Sequence, residues 1–220
     1  MILHHKNTAN LASVATAMPA NAFDHDAAVF GIQSLFPDEA PDFVDNIVRR
    51  SGVDMRYSVS SMEQILRGDG DFGARNDRYH KAALDLARTS AQKAIDRAEI
   101  DADEIDVIID VSCTGIAIPA IDVGLAPMLG LRSDVTRIPI TEAGCAAGAL
   151  ALGMAAKFAS AGQTVLVVAV ETCTLSLCRE DLSRTNLVAS VLFGDGAGAA
   201  VVVPNGTGPE LRQTSSHLIP

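Results

Sequence analysis

Residues 135–153 read VTRIPITEAGCAAGALALG. A β-branched apolar run, VTRIPI, passes through a polar and glycine turn into an alanine-rich stretch, and Cys145 stands at the junction. The first run has strand chemistry and the second has helix chemistry. The same alternation continues outward. The apolar runs IDVIIDVS at 105–112, TVLVVAV at 164–170 and AGAAVVV at 197–203 have the length of buried strands. A helix is predicted over 77–99, where Ala83, Leu84, Ala87, Ala91, Ala94, Ile95 and Ala98 share one face. Two more are predicted over 120–130, closed by Gly130, and over 145–161, with Gly162 placed for its C-cap. Upstream, 9–18 reads as a strand, 24–36 and 40–50 as short helices, and 51–76 as loop with GDGDFG at 68–73 as turn chemistry. Strands alternating with helices predict an α/β layered domain with a mainly parallel central sheet.

Composition narrows the function classes. A chain of 220 residues with 48% hydrophobic content can bury a sizeable core. Its net charge of −10 repels a phosphate backbone, so nucleic acid is not an expected partner, although a local basic patch for a small phosphorylated ligand is compatible with it. The longest apolar runs are too short to span a bilayer, so no membrane partner is expected. Four cysteines (Cys113, Cys145, Cys173, Cys178) without a CxxC pair, and five scattered histidines, point away from a metal site and from a disulfide framework. A reducing, cytoplasmic setting is expected. The opening MILHHKNTANLASVATAMPA is broken by Asn7, Thr8, Asn10, Ser13 and Thr16, which favours a first strand ending at Pro19 over a signal peptide. The closing GTGPELRQTSSHLIP leaves a Gly/Pro turn without a further helix, so the chain is expected to be part of a longer protein.

Cys145 has two readings. At a strand-to-helix turn, unpaired backbone N–H groups and the positive end of the helix dipole favour a thiolate, the nucleophilic form. Gly144 lets the chain turn tightly, and Ala146 and Ala147 leave room above the sulfur. The same device presents the nucleophilic serine of many hydrolases. An inert buried cysteine beside closely packed small residues gives the same local pattern. The glycines of LFGDGAGAA at 192–200 precede an extended run instead of opening a helix, so a dinucleotide loop is not expected and a turn between strands is.

Taken in order, GCAAG at 144–148, VET at 170–172 and NLVASVLFGDGAGA at 186–199 resemble the thiolase-like condensing enzymes. CTGIAIPAID at 113–122, with NLV running into LFGDGA, is similar to the type III polyketide synthases, the group that includes chalcone synthase. The resemblance runs from ATAMP at 15–19 to TSSHLIP at 214–220. It implies a thiolase-like layered αβαβα fold, of which 1–205 is the N-terminal half with the nucleophile and 206–220 the start of the second half. It implies decarboxylative condensation of malonyl-CoA onto an acyl-CoA starter held on Cys145, by a homodimer that needs no metal or organic cofactor beyond the CoA thioesters.

The resemblance also assigns roles to other residues. Phe193 matches a gate between the CoA tunnel and the cavity, where a core phenylalanine at a turn is the plainer reading. Cys113, Cys173 and Ser176 match cavity-lining positions, against ordinary core sites. Ile118, before a Pro119 bond that is cis or trans, matches the residue that reaches across the dimer interface. Glu171 is a candidate buried partner behind the site, since a charge in VLVVAVE is costly unless paired. Arg50, next to Arg49, falls near a CoA-binding lysine, against a solvated arginine pair, while Phe43 and Asn46 stand where basic residues often occur. The family's catalytic histidine and asparagine belong to the second half. None of His4, His5, His25, His80 and His217 occupies a matching position, so the 220 residues alone are expected to be inactive. Ketoacyl-ACP synthase III and a non-catalytic dimerisation or scaffold module remain alternatives. An isolated half is expected to expose apolar surface, including the small-residue face of the Cys145 helix.

Overall fold

The computed structural model describes residues 7–68 and 70–217. His4, His5, part of the GDGDFG turn at Asp69, and the last residues of TSSHLIP lie outside them. The central sheet has five strands in the order β1 (Ala9–Ala17), β7 (Asp195–Pro204), β6 (Val165–Thr172), β4 (Val107–Val111), β5 (Thr136–Ile140). β4 is parallel to both β5 and β6, whereas β7 is antiparallel to both β6 and β1. The expected α/β class holds, with a mixed sheet. β4, β5 and β6 are linked through helices that carry the chain back to the same edge, which makes neighbours parallel. β7 starts beside the end of β6, with Asp195 opposite Thr172, and therefore returns antiparallel. β5 lies at the sheet edge, the position where Pro139 is tolerated in a strand.

Helices cover both faces. α4 (Phe72–Ala98) and α5 (Asp122–Leu129) lie on one, burying Ala83, Ala87, Ala91 and Ala94 with Ile108, Leu166, Val168 and Val201. α4 begins five residues before the predicted start, because the Asp71 carboxylate accepts the Ala74 N–H at 2.9 Å and caps the first turn. α5 ends at Gly130 in the left-handed region, as its sequence predicts. α6 (Ala147–Ser160) covers the other face, and Ala147, Ala151, Ala155 and Ala159 pack on Val107, Ile109, Val165 and Val167. The small-residue face of this helix is therefore buried against its own sheet, contrary to expectation. Small side chains are what allow the helix to sit close to the strands. Its outer face instead exposes Ala149 and Leu150.

A smaller helical unit sits at one end. It contains α1 (His25–Leu35), α2 (Pro41–Arg50), α3 (Met62–Arg67), α7 (Arg184–Leu192) and the hairpin of β2 (Asn21–Phe23) with β3 (Arg56–Ser58). Its core is Ile32, Phe36, Val44, Val48, Leu187 and Val191. β3, α3 and the start of α4 occupy the stretch expected as loop. The first two are too short to show a hydrophobic period. Ser61 and Gln64 do form a reciprocal capping box at α3. α7 corrects the reading of LFGDGA: the turn joins a helix to a strand, not two strands. Gly194 is needed there, since a Cβ would stand 3.1 Å from the Tyr57 carbonyl oxygen. Among the described residues no helix is long and apolar enough to cross a membrane.

Candidate active site

The carboxyl ends of β4, β5 and β6 meet at one edge of the sheet, the place where parallel α/β sheets hold ligands. After β5 the chain crosses Thr141–Ala143 to Gly144, whose φ of +56° lies in the left-handed region that a side chain would strain. Cys145 follows in a single 3₁₀ turn, Gly144–Ala146, that runs into α6. It thus precedes the α-helix instead of opening it. No side chain caps the 3₁₀ turn, so its first N–H groups are left for a ligand, whereas the Ala147 N–H at the head of α6 donates to the Gly144 carbonyl. Cys145 is exposed, and all four cysteines are free.

The register of the parallel strands sets its neighbours. Val111 is level with both Ile140 and Ala169, so two residues later Cys113 and Glu171 lie side by side. The Cys113 N–H donates to both Glu171 carboxylate oxygens at 3.1 Å, and the Thr114 hydroxyl donates to Oε2 at 2.6 Å. Thr114 Oγ1 in turn accepts the Thr172 N–H at 2.8 Å, and its carbonyl accepts the Ser176 hydroxyl at 3.0 Å. These bonds give the charge at the end of an apolar strand its partners. Asp195, buried at the head of β7, accepts the Val59 and Thr174 N–H groups at 2.8 Å and the Thr174 hydroxyl. Burial pushes its carboxyl above the usual range. One carboxylate thereby ties the 58–60 and 173–176 segments together.

These segments enclose a cavity of about 490 Å³. Cys145 reaches it, and Cys113, Cys173, Ser176 and Phe193 lie on its wall. Apolar side chains of the helical unit, among them Ile32, Leu35, Met62 and Ile65, complete it. Burial, then the charges of Asp195 and Glu171, push the Cys173 thiol up to about 12. Burial and then Glu171 push Cys113 up to about 11, so both stay protonated at neutral pH. They serve as small neutral lining beside Cys145.

Ile118 and Arg50 are not on this wall. Ile118 is 90% exposed, and its bond to Pro119 is cis. Arg50 is exposed at the end of α2, where Arg49 pairs with Asp45 at 2.9 Å and Asp26 at 3.6 Å. Phe43 carries the Arg184 guanidinium 5.6 Å from its ring centroid. Among the described residues no histidine lines the cavity. Asn186 does, but its amide donates to the Cys178 and Asp181 carbonyls at 2.7 Å. Sequence reasoning missed Thr114, Thr174 and Arg56 on the wall. Arg56 is buried, donates to Val191 O at 2.7 Å and Ser51 Oγ at 2.8 Å, and burial lowers its pKa. Its charge in an unassigned loop was the available signal.

Comparison with known proteins bears on this arrangement. Residues 5–209 match the family described as chalcone and stilbene synthases, N-terminal domain. A 1,3,6,8-tetrahydroxynaphthalene synthase of Streptomyces coelicolor is 40% identical over 79% of the chain and 47% of its own length. The phloroglucinol synthase of Pseudomonas fluorescens is 28% identical over 79% of the chain and 51% of its own length. Among solved structures, the tetrahydroxynaphthalene synthase of S. coelicolor A3(2), a bacterial type III polyketide synthase, superposes with a TM-score of 0.88 at 32% identity, over 96% of this chain and 62% of that one. The C-terminal type III polyketide synthase domain of Steely1 from Dictyostelium gives 0.83 at 27%, over 93% and 58%. The chain spans about half the length of the curated relatives it matches.

Proposed function

The chain belongs to the chalcone and stilbene synthase family, matching its N-terminal domain, and from that premise we propose that it supplies the nucleophile-bearing half of a type III polyketide synthase. The observation that carries the reading is Cys145: exposed, on an uncapped turn at the carboxyl edge of parallel strands, and open to a largely apolar cavity. The Cys145 thiolate attacks the thioester carbonyl of a starter acyl-CoA, backbone N–H groups of the Gly144–Ala146 turn hold the developing oxyanion, and CoA thiolate leaves. Malonyl-CoA loses carbon dioxide. The resulting carbanion attacks the acyl-cysteine carbonyl, and the carbon–carbon bond forms as the Cys145 thiolate is released.

Phe193 gates the cavity in this reading, and Cys113, Cys173 and Ser176 set its size and polarity. Arg50 contacts CoA, and Ile118 reaches into the partner of a homodimer. The histidine and asparagine that steady the thioester carbonyl and the enolate come from polypeptide beyond these 220 residues, so the half alone does not condense. The reaction needs no metal or organic cofactor and runs in the cytoplasm.

The test uses the full protein that contains this chain, with malonyl-CoA and a panel of acyl-CoA starters. Cys145→Ala is expected to lower product formation by about a thousandfold or more. Unchanged product would remove the reading, and an absolute requirement for acyl carrier protein would transfer it to ketoacyl-ACP synthase III. The intact mass of the native protein is the companion measurement, because a value well above 23.0 kDa shows further polypeptide, which is then read for the histidine and asparagine.

A further inference from the structure

A second cavity, about 300 Å³, adjoins the first and shares Ile65, Thr174 and Leu177 with it. Its wall has a different chemistry. Arg67, Arg75 and Arg179 line it, and Glu180 is the one acid among the described residues there. Among the described residues, three guanidinium groups against one carboxylate make a local cationic pocket in a chain whose net charge is −10.

The arginines are not consumed by structural partners. Arg67 meets Glu63 at 3.6 Å, both side chains being largely exposed, which is a weak pair. Arg75 uses Nη1 on the Gly70 carbonyl at 2.9 Å and keeps its other donors. Arg179 has no hydrogen bond or ion pair to any described residue. Its guanidinium rests against Gly68, whose φ is +93° and where a Cβ would stand 3.0 Å from Nη1. Planar guanidinium groups with spare donors on one cavity wall match the paired oxygens of a carboxylate or phosphate.

We propose that this second cavity is an oxyanion site, binding the carboxylate or phosphate of a small ligand. Within the condensing-enzyme reading, on which this part rests, the shared wall lets the acid end of an acyl chain lie there while its body occupies the main cavity. The site then selects acyl thioesters that carry a distal acid.

The experiment takes the full protein and compares wild type with Arg179→Gln, Arg75→Gln/Arg179→Gln and the charge-retaining Arg179→Lys, after matched melting curves confirm folding. Calorimetric titration with malonate and with inorganic phosphate reads binding without catalysis. The double variant is expected to lose about tenfold in affinity and Arg179→Lys to retain part of it. Starter selection is read in parallel as kcat/KM for succinyl-CoA against butyryl-CoA. If the ligand is the acyl end, the succinyl preference falls about tenfold in Arg179→Gln while butyryl-CoA is unaffected. If it is a free anion, malonate or phosphate affinity falls and the starter ratio holds. Unchanged anion affinity together with an unchanged ratio in the double variant would overturn the site. Arginine-dependent anion binding in a protein that condenses no acyl-CoA would leave the site standing and remove the condensing-enzyme reading instead.

Discussion

Asp110 occupies the middle of β4, 3% exposed, and its Oδ1 has no hydrogen-bond partner. Burial first, then the charge of Asp122, push its carboxyl up to about 7, with Glu171 adding and Arg137 opposing. Arg137 from β5 is held in a two-pronged pair with fully buried Asp122 of α5, at 2.8 and 3.0 Å, and Tyr79 of α4 faces the same region. The folded chain therefore binds this proton more tightly than the unfolded chain. The contribution to stability is complete below about pH 4, falls as the pH rises toward 7, and is constant above that. Asp110→Asn removes the ionisation. It is expected to gain on the order of a few kcal/mol at pH 8 and under about 1 kcal/mol at pH 4, read by urea unfolding at both values. An equal change at the two pH values would show that the charge is not responsible.

The element that fixes the nucleophile is α6. Ala151 and Ala155 are fully buried against β4 and β6, at four-residue spacing, and the helix runs straight out of the turn that holds Cys145. Enlarging that face has nowhere to go without lifting the helix. Ala151→Leu is expected to cost about 1–3 kcal/mol. In the full protein it should also lower the condensation rate, because lifting α6 moves the turn. Arg88→Ala, on the exposed side of α4, is the control and should leave both unchanged within about 0.5 kcal/mol. Melting curves and steady-state rates on the two variants separate the effects.

For the whole molecule, exposed apolar groups are the informative feature. Ile116 and Ile118 are 56% and 90% exposed in one loop, which the Asn76 side chain braces at the Ile116 N–H (2.8 Å) and carbonyl (2.9 Å). A braced loop that presents isoleucines to solvent fits the homodimer proposed above. Ile118→Asp in the full protein is expected to weaken self-association by at least about tenfold, measured by sedimentation equilibrium. A dimer of undiminished affinity would exclude Ile118 from the contact.

Periodicity and apolar runs were enough to read β1, β4, β5, β6 and β7, the long helices, and the placement of Cys145 between β5 and α6. These signals are local: strand length, a three-to-four apolar spacing and a glycine at a turn are written in consecutive residues. β2, β3, α3 and α7 were not read, because three to nine residues anchored by contacts with distant segments carry little period of their own. The site divides the same way. Cys145 was legible from its turn, whereas the hydrogen bonds joining Cys113 and Thr114 to Glu171 depend on the register of β4 against β6. The strut from Asp195 to Val59 and Thr174 and the three-arginine pocket join residues far apart in the chain, and only the packed tertiary structure decides such meetings.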